Sequence, residues 1–171
     1  MKPSLRPRVT YLGDELCIAL IGPLLVSIAR DEPTADLVKQ IRVALGQLER
    51  LYGKHCGLLV IVRSNVRPPT EVARERIRAA LEAVGGVIVC GSYVIEGEGF
   101  VAAANRGALS MMLMLNRRGF PLKVFGTIRE AVPYLCNLLG PDAGLSVSEL
   151  SNAIEQLRKE YDAGKLRAAA G

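Results

Sequence analysis

The sequence has few of the residues from which catalytic and metal centres are built. One histidine, His55, and four cysteines are spread over 171 residues, and no Cys-x-x-Cys pair occurs. Structural zinc sites show close ligand pairs, so we expect no metal, and scattered thiols in apolar runs indicate a reducing compartment. A lone histidine beside Cys56 in a polar turn cannot complete a Ser-His-Asp or Cys-His set. We therefore expect no enzyme.

Aromatic residues and long runs of one charge are also scarce. Tryptophan is absent and aromatic residues make up 5% of the chain, so the core must consist of aliphatic side chains, as in α/β domains. The net charge is +5, but basic residues such as Arg74 and Arg78 alternate with acidic ones at helical spacing. No helix-turn-helix, zinc-finger or aromatic stacking pattern accompanies them. We expect no nucleic-acid partner.

The chain also lacks a long hydrophobic run. The apolar stretch 16–29 is interrupted by Gly22-Pro23 and is shorter than the roughly 20 residues that cross a bilayer. Residues 1–8 lack the apolar centre of an export signal. These absences predict a cytoplasmic protein without a membrane span.

Apolar periodicity predicts alternating strands and helices. Strand patterns occupy residues 9–12, 16–21, 58–62, 87–95 and 122–125. Helical patterns follow at 34–53, 71–84, 100–117 and 127–139. The first two strands flank a three-residue loop and form an antiparallel hairpin, whereas the later strands, separated by helices, pair in parallel. The predicted fold is a small α/β sandwich with a mixed sheet, of the order β-β-α-β-α-β-α-β-α.

Residues beyond 140 form a separate segment. The composition shifts there, which divides the chain into a domain at 1–140 and a helical extension at 141–171. Ser146 is a predicted N-cap of its helix, as Thr34, Thr70 and Thr127 are for earlier helices. The apolar positions recur at spacings of three and four residues: Val147, Leu150, Ile154, Leu157 and Tyr161. This seam can pair with a second copy as a two-stranded coil or pack on its own domain.

Three structural motifs stand close to the starts of predicted helices. They are Arg67-Pro-Pro-Thr-Glu-Val-Ala-Arg74, Val94-Ile-Glu-Gly-Glu-Gly-Phe100 and Gly119-Phe-Pro-Leu-Lys-Val-Phe-Gly-Thr-Ile-Arg-Glu-Ala131. In these motifs, the chain resembles the STAS-like family of bacterial domains, which includes anti-sigma-factor antagonists and their SpoIIAA-like relatives. The resemblance implies a mixed sheet flanked by helices, no cofactor, and a role in protein–protein contact that phosphorylation sometimes switches.

Phosphorylated members of that family carry an Asp-Ser-Ser-Gly motif at the start of the helix after the central strand. This chain has Arg63-Ser-Asn-Val66 in that place. A phosphate near a helix N-terminus is stabilised by the helix dipole and by nearby arginines such as Arg63 and Arg67. Ser64 and Thr70 are therefore the candidate phosphorylation sites, and plain loop and capping roles are the alternative.

A glycine turn precedes the third predicted helix. Gly97-Glu-Gly-Phe-Val-Ala102 matches the dinucleotide pattern G-x-G-x-x-A. However, Glu96 and Glu98 would repel a pyrophosphate, and the region about 20 residues further on is basic, whereas ribose binding needs an acid there. We therefore exclude a nucleotide. The favoured interpretation is a tight turn whose two carboxylates complement the positive end of the following helix. The alternative is that Glu96 and Glu98 pair with Arg63 and Arg67 at adjacent strand ends, forming a recognition rim.

The helix at 100–117 is apolar on nearly all sides, which is more than one buried stripe requires. Its centre carries four candidate contact residues: Met111, Met112, Met114 and Leu115. Methionine adapts to varied shapes, so three roles stay open for this segment. It can belong to the core, form an interface between subunits, or line a groove for an apolar ligand.

Together with the seam at Leu150, Ile154 and Leu157, this helix favours a homodimer. The preferred hypothesis is a non-enzymatic, STAS-like regulatory module of the bacterial cytoplasm that binds itself and an unidentified protein. The alternative is a carrier of a small apolar or lipid-like molecule beneath the methionine-rich helix. A cavity lined by the methionines would favour the carrier, and a dry two-fold contact would favour the interaction module.

Overall fold

The computed structural model describes residues 5–115 and 119–167, which form a mixed sheet covered by helices on both faces. The strands are β1 (Arg8–Leu12), β2 (Leu16–Ile21), β3 (Leu24–Ala29), β4 (Cys56–Val62), β5 (Ile88–Ile95) and β6 (Leu122–Phe125). They lie side by side in chain order, with β1 to β3 antiparallel and β3 to β6 parallel. The predicted α/β class and mixed sheet are confirmed.

Helices are distributed unequally over the two faces of the sheet. In the described residues they are α1 (Leu37–Tyr52), α2 (Glu71–Ala83), α3 (Gly99–Leu115), α4 (Ile128–Leu139) and α5 (Val147–Asp162). α1, α2 and α3 cover one face, and α4 and α5 cover the other. Because the parallel strands follow one another in space, right-handed crossovers place all three connecting helices on the same face.

The observed element order differs from the predicted one by a strand. Gly22-Pro23 does not end the apolar segment but forms a two-residue turn between β2 and β3, in which Ile21 pairs with Leu24. Gly22 has a φ of 54°, the sign that a type II′ hairpin turn requires at its first position. β3 is therefore the first parallel strand, and it is buried between β2 and β4.

Most predicted N-caps are confirmed. Thr70, Thr127 and Ser146 each accept a backbone N–H from the third residue of the following helix. The prediction for Thr34 is wrong, because α1 begins at Leu37 and its N-cap, Asp36, makes no side-chain cap. Thr34 lies instead in the loop between β3 and α1, which borders a cavity over the sheet.

The extension beyond residue 140 contributes to the core of the domain. Leu150, Ile154 and Leu157 of α5 are fully buried against the sheet and α4. These three residues were predicted as a candidate interface, but their side chains are not accessible to a second copy. The apolar stripe of α5 covers the sheet face that α4 leaves open, so the tail packs on its own domain.

Candidate functional site

A cavity of about 120 Å³ lies between the sheet and the helices α1, α2 and α3. It extends to the carboxyl ends of β3, β4 and β5, where the loops after β3 and β4 border it. Open α/β sheets commonly bind ligands at this end of their strands. The walls are mainly aliphatic, with Ile41 from α1, Ile77 from α2 and Leu109 from α3.

Two residues that carry hydroxyl groups, Ser27 and Tyr93, line the floor of this cavity in one row across the sheet. Ser27 on β3 pairs in register with Val60 on β4, which pairs with Tyr93 on β5, so the three side chains point to the same face. Ser27 is 5% exposed and Tyr93 is 6% exposed. Neither hydroxyl makes a hydrogen bond to another described residue. Burial raises the pKa of Tyr93 well above its usual value, so this hydroxyl stays protonated.

At the mouth of the cavity, hydrogen bonds join the loop after β3 to the start of α2. The carboxylate of Glu32, after β3, accepts the backbone N–H of Thr70 at 2.8 Å and its hydroxyl at 3.1 Å. Arg76 of α2 donates to the carbonyl oxygen of Pro33 at 2.8 Å. These bonds connect the loop after β3 to the first two turns of α2.

The two candidate phosphorylation sites have different surroundings. The Thr70 hydroxyl caps α2 and donates to the carboxylate of Glu32, so a phosphate on it would face a like charge and remove the cap. Ser64 is exposed in the loop after β4, directly following Arg63. The geometry therefore favours Ser64 over Thr70 as an acceptor of phosphate.

An ion-pair network lies at the same strand ends, on the side of α5. Glu96, which follows β5, contacts Arg63 at 2.8 Å and Arg158 of α5 at 2.9 Å. Asp162, at the end of α5, contacts Arg63 at 2.7 Å and Arg30 at 3.3 Å. We call these five residues the strand-end network. It ties α5 to the carboxyl ends of β3, β4 and β5.

The predicted recognition rim is present only in part. Arg63 and Glu96 pair as expected, whereas Glu98 and Arg67 are exposed and form no ion pair with another described residue. Arg67 borders the mouth of the cavity instead. The other partners of Arg63 and Glu96 are Asp162 and Arg158 of α5. The sequence does not predict these two contacts, because no local pattern shows where a distant helix packs on the sheet.

α3 has one buried side and one exposed apolar side. Leu109 and Leu113 are buried above the sheet, and Met112 is half-buried. Exposed residues on the opposite side recur at helical spacing and are called here the outer face of α3: Phe100, Ala104, Gly107, Ala108, Met111 and Met114. Phe100, Met111 and Met114 are 87%, 66% and 79% exposed. The side chain of Leu115 lies outside the described residues.

The methionines do not line the cavity, which corrects the predicted location of an apolar groove. α3 contributes Asn105 and Leu109 to the cavity wall. Met111 and Met114 point outward because the buried stripe of α3 is formed by its leucines. An apolar cavity thus lies beneath α3, but it is separate from the outer face.

The thiols have no reactive environment. Burial raises the pKa of Cys17 to about 12 and the pKa of both Cys56 and Cys90 to about 11. These thiols therefore stay protonated near neutral pH, and protonated thiols are poor nucleophiles and poor metal ligands. His55 is held by its Nε2, which lies 3.1 Å from the carbonyl oxygen of Leu139.

Residues 5–115 and 119–167 contain neither a metal-ligand cluster nor a membrane-spanning helix. No three His, Cys, Asp or Glu side chains in this part of the chain converge as metal ligands would. None of its helices is long and apolar enough to cross a membrane.

No family model matches the chain, and no curated protein or solved structure matches it. The resemblance to STAS-like domains stays a prediction from the motifs. Family and function are accordingly proposals, supported by the geometry of the described residues.

Proposed function

We propose that this chain is a non-enzymatic, STAS-like interaction module of the bacterial cytoplasm that self-associates through the outer face of α3. The observation that carries the proposal is the exposure of Phe100, Met111 and Met114 on one side of one helix. Scattered exposed apolar residues are normal, but a contiguous apolar patch is typical of an interaction site. A second protein that binds the homodimer, with Ser64 as a regulatory phosphorylation site, completes the proposal.

The outer face also lacks charge, which supports a buried contact. Arg106 is the only charged residue in α3. It turns away from the outer face and donates to the carbonyl oxygens of Ile95 and Gly97, both at 3.1 Å. The centres of protein interfaces are depleted of charged residues and enriched in Met and Phe. The composition of this face therefore fits the centre of an interface.

The order of side chains along α3 favours a second copy as the occupant. Ala104, Gly107 and Ala108 leave a shallow centre between Phe100 at one end and Met114 at the other. A Cβ built on Gly107 meets no atom within 4 Å, so this centre is open. Two antiparallel copies of α3 would place each Phe100 near the methionines of the other copy, as a self-complementary two-fold contact requires.

A charge placed in the outer face should abolish the dimer. We expect the sedimentation mass of the wild-type protein at micromolar concentration to be twice the chain mass of 18.4 kDa. Met111→Glu would bury a carboxylate in an apolar contact and should weaken association by more than about tenfold. Val43→Glu is the matched control, because Val43 is an exposed apolar residue on α1, away from the outer face.

Sedimentation velocity over a dilution series measures all three proteins. Val43→Glu should behave like the wild type, and Met111→Glu should be monomeric at the same concentration. A wild-type monomer at every concentration would refute self-association. If the Met111→Glu variant dimerises as well as the wild type, the outer face of α3 is not the contact between the two copies.

A further inference from the structure

We propose that the cavity beneath α3 is a binding site for a compact, neutral molecule that has an apolar body and one hydroxyl or carbonyl group. This binding site is independent of the proposed dimer. Asn105 and Leu109, which border the cavity, lie on a different side of α3 from Met111 and Met114. Occupancy of the cavity and association through the outer face can therefore be measured separately.

The size of the cavity limits the ligand. Its volume is about 120 Å³. An apolar cavity of about 150 Å³ engineered in another protein binds benzene. The space here thus suits a single ring or a short branched chain of roughly six to eight non-hydrogen atoms. A lipid chain does not fit in that volume.

The two floor hydroxyls can donate hydrogen bonds to a polar group on the ligand. Ser27 and Tyr93 are each more than nine-tenths buried, and neither hydroxyl has a hydrogen-bond partner among the described residues. Neither hydroxyl oxygen belongs to the fully buried side-chain atoms without a partner, which among the described residues are Gln47 Oε1, Ser92 Oγ and Arg158 Nε, so both keep contact with open space. A ligand oxygen between the Ser27 and Tyr93 side chains would accept a hydrogen bond from one or both of them. The aliphatic walls would then contact the rest of the ligand.

The distribution of charge indicates that the ligand is neutral. The residues of β4 that line the floor, such as Leu58 and Val60, carry no charge. A charged ligand group at the floor would lose its hydration and find no ion to pair with. Charged residues border only the mouth. Among them Glu32 is already bonded to Thr70, and Arg67 is exposed. No cation at the floor can pair with an acidic ligand.

Phenol and benzene are matched probes for this site, since they differ by one hydroxyl. We expect wild-type protein to bind phenol at millimolar concentration, in a one-to-one NMR titration, more tightly than benzene. Tyr93→Phe removes only a hydroxyl and should weaken phenol binding about fivefold, the effect of one lost hydrogen bond, while leaving benzene binding unchanged. Ala80→Leu, which fills the cavity from α2, should prevent binding of both probes.

Met111→Glu serves as the control for the dimer and should bind phenol like the wild type. Circular dichroism establishes that each variant is folded. Absence of phenol and benzene binding to the folded wild type would overturn the proposal. So would phenol affinity that is unchanged in both Tyr93→Phe and Ser27→Ala, because the floor hydroxyls would then contribute nothing to recognition.

Discussion

Replacing Leu157 by alanine should lower the free energy of unfolding by about 2–5 kcal/mol. Leu157 is fully buried between α5 and the sheet, in the same cluster as Leu150 and Ile154. Truncation removes apolar contacts and leaves a cavity that neighbouring side chains fill only partly. The loss is a large part of the stability of a domain of this size. It would show that the extension beyond residue 140 stabilises the fold.

Urea unfolding followed by circular dichroism measures this change. Asn152→Ala is the control, because Asn152 is exposed on the same helix and alanine is the better helix former. This control should unfold at the wild-type urea concentration or slightly above it. If Leu157→Ala were as stable as the control, α5 would not be part of the core.

Removing the carboxylate of Glu96 should destabilise the protein by about 1–3 kcal/mol. Glu96 is the only acid that contacts both Arg63 and Arg158, at 2.8 Å and 2.9 Å, among the described residues. In Glu96→Ala the two guanidinium groups lose this partner while they stay partly buried. The expected cost lies below that of a fully buried pair because the Arg63 and Arg158 side chains remain 21% and 29% exposed and water screens them.

Glu98 provides the matched control for this substitution. It lies two residues further along the same loop, is exposed, and makes no ion pair with another described residue. Glu98→Ala should change the unfolding free energy by less than about 0.5 kcal/mol. Chemical denaturation of Glu96→Ala and Glu98→Ala under identical conditions measures the difference between their unfolding free energies. Equal stability of the two would mean that the strand-end network contributes no net energy.

Local patterns predict most of the helices and strands correctly. The N-caps at Thr70, Thr127 and Ser146 follow from short motifs, and β4 follows from an unbroken apolar run. β3 was missed because Gly22-Pro23 serves equally well to end a segment and to turn a hairpin. Only the pairing of Ile21 with Leu24 distinguishes the two cases.

The candidate sites depend on long-range arrangement and were harder to predict. Ser27 and Tyr93 share the cavity floor through the register of β3, β4 and β5, which is a property of the assembled sheet. The excess apolarity of α3 was visible in the sequence. Which of its residues face outward depends on how Leu109 and Leu113 pack on the sheet.

We infer that two copies of the chain meet through the outer face of α3. The methyl groups of methionine report on this directly, because Met111 and Met114 lie on that face and Met112 is half-buried on the other side. We expect the NMR signals of methyl-labelled Met111 and Met114 to shift on dilution from millimolar to low micromolar protein, while the Met112 signal stays in place. Signals from Met111 and Met114 that do not change with concentration, in a protein of monomer mass, would show that the outer face of α3 does not join two copies of the chain.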